Sequence, residues 1–255
     1  MDIAALSIVA VAGLLSGTVN SIAGGGSLLL FPALLGVGLP PQAANVTNSV
    51  ANWPGFAGQV YGFAEELKTQ PRRRLVLLSV VTGISSAAGS ALLLATSSAS
   101  FDQVVPALVL FASLLLAGQK QVKKLTRNAD PRASGRPRQN MVTLSLAMAA
   151  AGIYGGYFAG ALGVIMLATL AMVTAEDLRR LNALKAALSL VNSTVTLLIF
   201  AAFGPVHWTV VAVAAPMALA GGYLGARLAR WMHEEVLRWS VVTIGVSVSA
   251  VLLVT

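Results

Sequence analysis

Gly24, Gly25, Gly26 and Ser27 stand together inside a long stretch without a single charged residue. Consecutive glycines permit positive φ and leave backbone N–H groups unshielded. A helix beginning at Leu28 would turn its unpaired N–H groups and the positive end of its dipole toward that break. Helix N-termini of this kind cradle anions in other proteins. The plainer reading is that the glycines only let helices approach closely in lipid. Asn45, Asn48 and Asn52 follow at spacings of three and four, which places them on one helix face, beside Thr47 and Ser49. Asn182, Lys185, Ser189 and Asn192 take up the same spacing later, after Tyr154 and Tyr157. Brought together, two such faces make a donor-rich pocket. Taken singly, each polar side chain is equally well read as interhelical glue, worth about 0.6–2 kcal/mol.

Lys185 carries the sharpest question. An ammonium deep in lipid costs about 2.5–3.5 kcal/mol or more. Lys185 therefore either faces a solute or snorkels past Arg180 to the surface. No Asp or Glu lies within an apolar stretch, Asp102 standing at a loop. Carriers of protons or metal cations place a carboxylate there, so an acid-free, donor-rich interior suits a small anion. Cysteine is absent, and no phosphate-binding loop, HExxH helix or GxSxG elbow occurs. The reading is of a protein with no cofactor, no metal site and no enzymatic activity.

These residues must be positioned by membrane helices. The 255 residues have a mean hydropathy of +0.80, with 56% apolar and only 10% charged. A soluble domain carries about a quarter charged residues. Charge is missing throughout 3–64, 75–101, 103–119, 139–175, 186–226 and 239–255, and about 18 uncharged apolar residues make a spanning helix. Continuous apolar runs such as Leu75–Val81 exclude the alternating pattern of a barrel. The start of the chain has no basic segment before its apolar stretch, so it is read as no secretory signal.

Breaks and charges divide the chain into segments at roughly 3–36, 42–63, 75–97, 103–119, 141–173, 182–203, 208–226 and 239–255. The first and fifth are too long for one crossing of a ~30 Å core at 1.5 Å per residue. Each contains glycines, Gly24–Gly26 in one and Gly155, Gly156, Gly160 and Gly163 in the other, and is read as a helical hairpin bent there. Pro54 and Pro216 fall mid-helix and should kink their segments. Of the 17 basic residues, against 9 acidic, all but Lys185 gather in loops 64–74, 120–139, 174–181 and 227–238. The positive-inside rule makes those loops cytoplasmic, so the high charge reflects topology and not a nucleic-acid partner. Loops 37–41, 98–102 and 204–207 fall outside, as does the C-terminus.

A shift of 137 residues superimposes the two broken segments and the helices after each. The expected fold is an all-α membrane protein: a polytopic helical bundle of two inverted-topology repeats, each opening with a glycine-broken hairpin. Residues 1–119 form the first repeat, 120–139 a basic cytoplasmic linker and 140–255 the second. Paired broken segments in inverted halves point to the binding site of a secondary transporter. The candidate site comprises Gly24, Gly25, Gly26, Ser27, Asn45, Thr47, Asn48, Asn52, Tyr154, Asn182, Lys185 and Asn192, and the expected partners are a small anionic solute and the lipid bilayer. A homodimer is carried as a candidate assembly.

The run Ala23-Gly-Gly-Gly-Ser-Leu-Leu-Leu-Phe-Pro32, with Gly13-Leu-Leu-Ser-Gly17 before it and Gly38-Leu-Pro-Pro-Gln-Ala-Ala-Asn-Val-Thr-Asn48 after it, resembles the TauE/SafE family of sulfite and organosulfonate exporters. Gly152–Gly163 followed by Arg179-Arg-Leu-Asn-Ala-Leu-Lys185 resembles that family's repeated element, so the likeness spans nearly the whole chain. It implies a permease of the prokaryotic cytoplasmic membrane handling small sulfur anions such as sulfite or a sulfoacetate-like sulfonate. It also implies binding roles for Gly24, Gly25, Gly26, Thr47 and Asn48. The rival expectations are a non-transporting membrane scaffold or assembly factor, and an anion channel.

Overall fold

The computed structural model describes residues 2–22, 24–118, 141–174, 176, 178–228 and 234–254. The basic linker 120–139 therefore lies outside the described residues. Among those described, every regular element is a helix: α1 (Ile3–Ile22), α2 (Ser27–Gly36), α3 (Pro41–Gly62), α4 (Ala64–Lys68), α5 (Arg72–Ala95), α6 (Ser98–Ala117), α7 (Met141–Tyr157), α8 (Leu162–Val173), α9 (Leu178–Phe203), α10 (Trp208–Leu228) and α11 (Glu234–Val254). By length and composition α1, α5, α6, α9 and α10 can each cross a membrane. The surface differs from that of a soluble domain, because large apolar side chains are exposed on it while many polar ones are buried. Ile84, Leu146 and Leu198 are 71%, 67% and 65% exposed, whereas Asn48, Asn52, Ser86 and Asn192 are buried. Apolar side chains on the outside, with polar ones buried among an apolar core, match a lipid solvent, which cannot satisfy a polar group.

The segment at 42–63, expected to be an ordinary crossing, forms one continuous helix of unusual composition. Its helix α3 spans 22 residues, yet it is not apolar enough to stand with the five candidate spans. Every residue from Ala43 to Asn52 is buried. A helix with this many amides can sit at membrane depth only when other helices enclose it, and α1, α9 and α10 pack around α3. Both α3 and α10 run unbroken through Pro54 and Pro216.

Close approach is made by small residues. A Cβ added to Gly13 would lie 2.8 Å from the Ala214 carbonyl oxygen, and one on Gly55 2.8 Å from that of Ala218. Gly17 faces Ala218, Gly62 faces Ala226 and Gly225 faces Thr18. These pairs rise together in number, so α1, α3 and α10 run parallel in one tight group. Likewise Gly152 meets Ser85 and Gly156 meets Ser86, which sets α7 parallel to α5. Two other contacts are antiparallel. The Trp53 indole N–H donates to Thr194 Oγ1 at 2.9 Å, while Val46 lies beside Gly204, joining α3 to α9. The Ser249 hydroxyl donates to the Pro106 carbonyl at 2.8 Å, while Gly245 meets Ser113, joining α11 to α6. In lipid, where apolar burial drives little association, such backbone-to-backbone packing and interhelical bonds hold a bundle together.

Candidate functional site

Both long segments are interrupted. α1 stops at Ile22 and α2 starts at Ser27, while α7 stops at Tyr157 and α8 starts at Leu162. Of the glycine triplet, only Gly24 uses the left-handed region, with φ 86°; Gly26 is helical with φ −61°. Gly26 is glycine for room, because its Cα faces the Ser16 carbonyl of the preceding helix. Gly25 points away, toward Leu116 of α6. The second break departs from the expectation. Gly155 and Gly156 remain inside α7, their missing side chains admitting Asn192 and Ser86. The left-handed residue there is Ala161, at φ 55°. An L-residue with a Cβ pays roughly 1–2 kcal/mol for that conformation, so surrounding contacts must impose it.

The two breaks meet. A Cβ on Gly24 would lie 2.7 Å from the carbonyl carbon of Gly163, and one on Gly163 2.7 Å from the Gly24 Cα. The turn that precedes α2 and the first turn of α8 thus lie in backbone contact, and no side chain fits between Gly24 and Gly163 in this conformation. The backbones of Gly24 and Gly163 therefore touch where the polar faces of α3 and α9 were expected to leave a pocket. Open clefts lie elsewhere: one of about 380 Å³ is lined by Leu92, Ala150, Ile153, Tyr154 and Tyr157, and one of about 420 Å³ by residues of α3 and α10.

Around the contact, side chains satisfy the interrupted backbone. The Gly26 N–H donates to Asn20 Oδ1 at 2.9 Å. Asn52 Oδ1 accepts from the Ser16 hydroxyl at 2.7 Å and from the Asn20 amide at 3.4 Å. Asn52 in turn donates to Asn48 Oδ1 at 2.8 Å. The Lys185 ammonium, 1% exposed, donates to the Asn20 carbonyl at 3.4 Å near the C-terminal end of α1. Lys185 is thus turned into the bundle and does not snorkel. Cations are favoured at helix C-termini, whose last carbonyls are unpaired. At the other break Asn45 donates to the Tyr157 carbonyl, the last residue of α7, at 2.9 Å, leaving Asn45 Oδ1 buried with no partner among the described residues. The Tyr154 hydroxyl donates to the Gly160 carbonyl at 2.7 Å.

Of the candidate residues, Gly26, Asn52 and Lys185 are joined through Asn20, with Asn48 reached through Asn52, and Gly24 stands in the same break. Asn45 and Tyr154 serve the second break. Asn192 accepts from the Ser86 hydroxyl at 2.6 Å, on the α5 side. Ser27 is buried at the first turn of α2, and Asn182 is half-buried one turn before Lys185. Thr47 does not join them: its hydroxyl accepts the His207 N–H at 3.1 Å, at the loop between α9 and α10. Asn20 and Ser16 are the residues that spacing alone did not single out as a site. Both are polar residues inside an apolar run, and that polarity was the available signal. Among the described residues no cluster of His, Cys, Asp or Glu could hold a metal ion.

Comparison with known proteins places this arrangement. The chain is 26% identical over 249 residues to the Probable membrane transporter protein YfcA of Escherichia coli strain K12, covering 94% of this chain and 86% of that protein. It is 28% identical over 251 residues to a Probable membrane transporter protein of Haemophilus influenzae, covering 96% and 93%. No solved structure matches the chain. The family model Sulfite exporter TauE/SafE matches residues 9–252, so this chain, whose two interrupted segments touch at Gly24 and Gly163, belongs to the TauE/SafE family.

Proposed function

We propose that this protein is a secondary carrier that moves a small anion across the cytoplasmic membrane by alternating access, with the solute held beside the Gly24–Gly163 contact. The family and the relatives named as membrane transporters support the transporter part. The anion rests on the site. Two half-helices begin near one contact, a buried ammonium and three asparagines stand in the bundle near it, and among the described residues the one carboxylate inside a candidate span, Asp102, is exposed near the start of α6. Broken-helix N-termini aimed at an anionic group are how such carriers bind substrate.

The inverted repeat is part of the same reading, and the helix bounds support it. Moving each residue number of the first half forward by 137 carries Pro41 to 178, Ser98 to 235 and Gly24 to 161, against α9 starting at Leu178, α11 at Glu234 and the left-handed Ala161. The α1–α10 and α7–α5 contacts are both parallel, and the α3–α9 and α6–α11 contacts, each mapping onto itself, are antiparallel. A two-fold axis in the membrane plane requires that combination. The closed contact then makes this an occluded form, and each half would open toward one side. The family's description names sulfite, which supports a sulfur oxyanion as the solute, with an organosulfonate as a related candidate. The basic loops 64–74 and 174–181 are placed in the cytoplasm by the same charge rule.

Purified protein in proteoliposomes, supplied with labelled sulfite, sulfoacetate and chloride, tests the reading. Saturable flux of an anion is expected, and its absence for every small anion tried overturns the carrier. One observation favours a non-transporting scaffold: the breaks touch, with no space left between them. Thermal melting separates the two, because a carrier gains stability from bound solute by mass action and a scaffold does not.

A further inference from the structure

The cleft between α3 and α10 has a composition that the transport reading leaves unused. Ala57, Gly58, Pro216, Leu219 and Ala220 line it, and Tyr61 and Tyr223 close one end. Its origin is the small-residue packing of these helices. Gly55, Gly58 and Gly62 bring α3 against α10, and residues without side chains leave a trough on the outer surface. Nothing polar lines its floor, so the trough faces acyl chains and not water.

The mouth differs from the floor. Tyr61 is 72% exposed and its ring lies 5.9 Å from that of Tyr223. The Arg227 guanidinium sits 4.5 Å over the Tyr223 ring. Stacking on an aromatic face holds a guanidinium in place while leaving its N–H groups available. Tyrosines are enriched at the headgroup level of membranes. An apolar trough about a side chain deep, ended by two phenols and an anchored cation, matches one molecule end to end: a phospholipid with a phosphate at Arg227 and an acyl chain along Pro216 and Leu219.

We propose that this trough binds an anionic phospholipid from the leaflet at the Arg227 end of α10. The cation supplies the preference for an anionic over a zwitterionic headgroup, and the aromatic pair fixes its depth. The site is separate from the glycine breaks, so the proposal does not depend on what the protein carries.

Native mass spectrometry of the full chain in detergent, given equimolar phosphatidylglycerol and phosphatidylcholine, tests it. The wild-type protein is expected to retain phosphatidylglycerol preferentially. Arg227→Gln should reduce that preference about fivefold, the factor contributed by one basic residue at an anionic surface, with Arg227→Lys restoring part of it. Ala57→Phe, which fills the trough, should reduce retention of both lipids while the melting curve confirms a folded protein. Equal retention of the two lipids by the wild type overturns the proposal, as does a preference unaffected by both Arg227→Gln and Ala57→Phe. Cross-links between two copies at Tyr61, with no lipid retained, would assign the face to a dimer and likewise overturn it.

Discussion

Lys185 is buried with its ammonium near the carbonyl of Asn20. Moving a lysine into the bilayer centre costs about 2.5–3.5 kcal/mol on insertion scales, and each hydrogen bond its ammonium makes returns about 1.5–3 kcal/mol. Lys185→Met is expected to abolish saturable flux while the protein remains folded, as for a residue kept for function. A clear fall in melting temperature with flux retained would make Lys185 structural. Ala161 is a second residue held against its preference. Ala161→Gly should stabilise the protein by about 1 kcal/mol, since glycine adopts φ 55° without the Cβ clash. Ala161→Val should lower the melting temperature. The polarity of Asn48, Asn52 and Lys185 was legible from sequence because a polar residue inside an apolar run needs a reason. The node joining them, Asn20, was not legible as a site. Its importance comes from three bonds to separate chain segments, and spacing along one helix carries no information about those.

At the scale of elements, the two breaks behave differently. The first follows its glycines. The second does not, because Gly155 and Gly156 are used to admit Asn192 and Ser86 against α7, and a helix keeps its hydrogen bonds wherever packing permits. The break falls later, at 158–161, where Tyr154 and Asn45 satisfy the freed carbonyls. The contact of Gly24 with Gly163 sets the expected effect of enlarging either. Gly24→Ala and Gly163→Ala each place a methyl into facing backbone, an overpacking worth about 1–3 kcal/mol. Both should lower the melting temperature and eliminate flux. Gly36→Ala is the control: nothing stands within 4 Å of its Cβ, so melting and flux should match the wild type.

At the scale of the whole molecule, the halves are tied together near the starts of α5 and α9. Arg74, nearly buried, pairs with Glu176, and Gln70 donates to the Arg180 carbonyl at 3.1 Å. Removing one member of such a pair strands its partner's charge. Arg74→Gln and Glu176→Gln should each lower the melting temperature, and the exchanged pair Arg74→Glu with Glu176→Arg should recover part of the loss. Orientation is open to a direct measurement because the chain has no cysteine. Single cysteines at Gln42, Ser98 and His207 should react with an impermeant maleimide in whole cells, and one at Lys68 only after permeabilisation. The opposite pattern would invert the topology and the sidedness of the proposed carrier.

Composition and charge placement by themselves determined that this chain is a bundle of membrane helices, since lipid tolerates almost nothing else of such apolarity. The lengths of the uncharged runs also determined that two segments must be interrupted, and the family likeness was readable in the residues around Gly24–Gly26. Only the tertiary structure decided that α3 is enclosed, that the breaks touch, that Lys185 turns inward and that Thr47 turns toward His207. Those facts depend on which helix faces which, and residue spacing fixes only the face a side chain shares, never the neighbour that it meets.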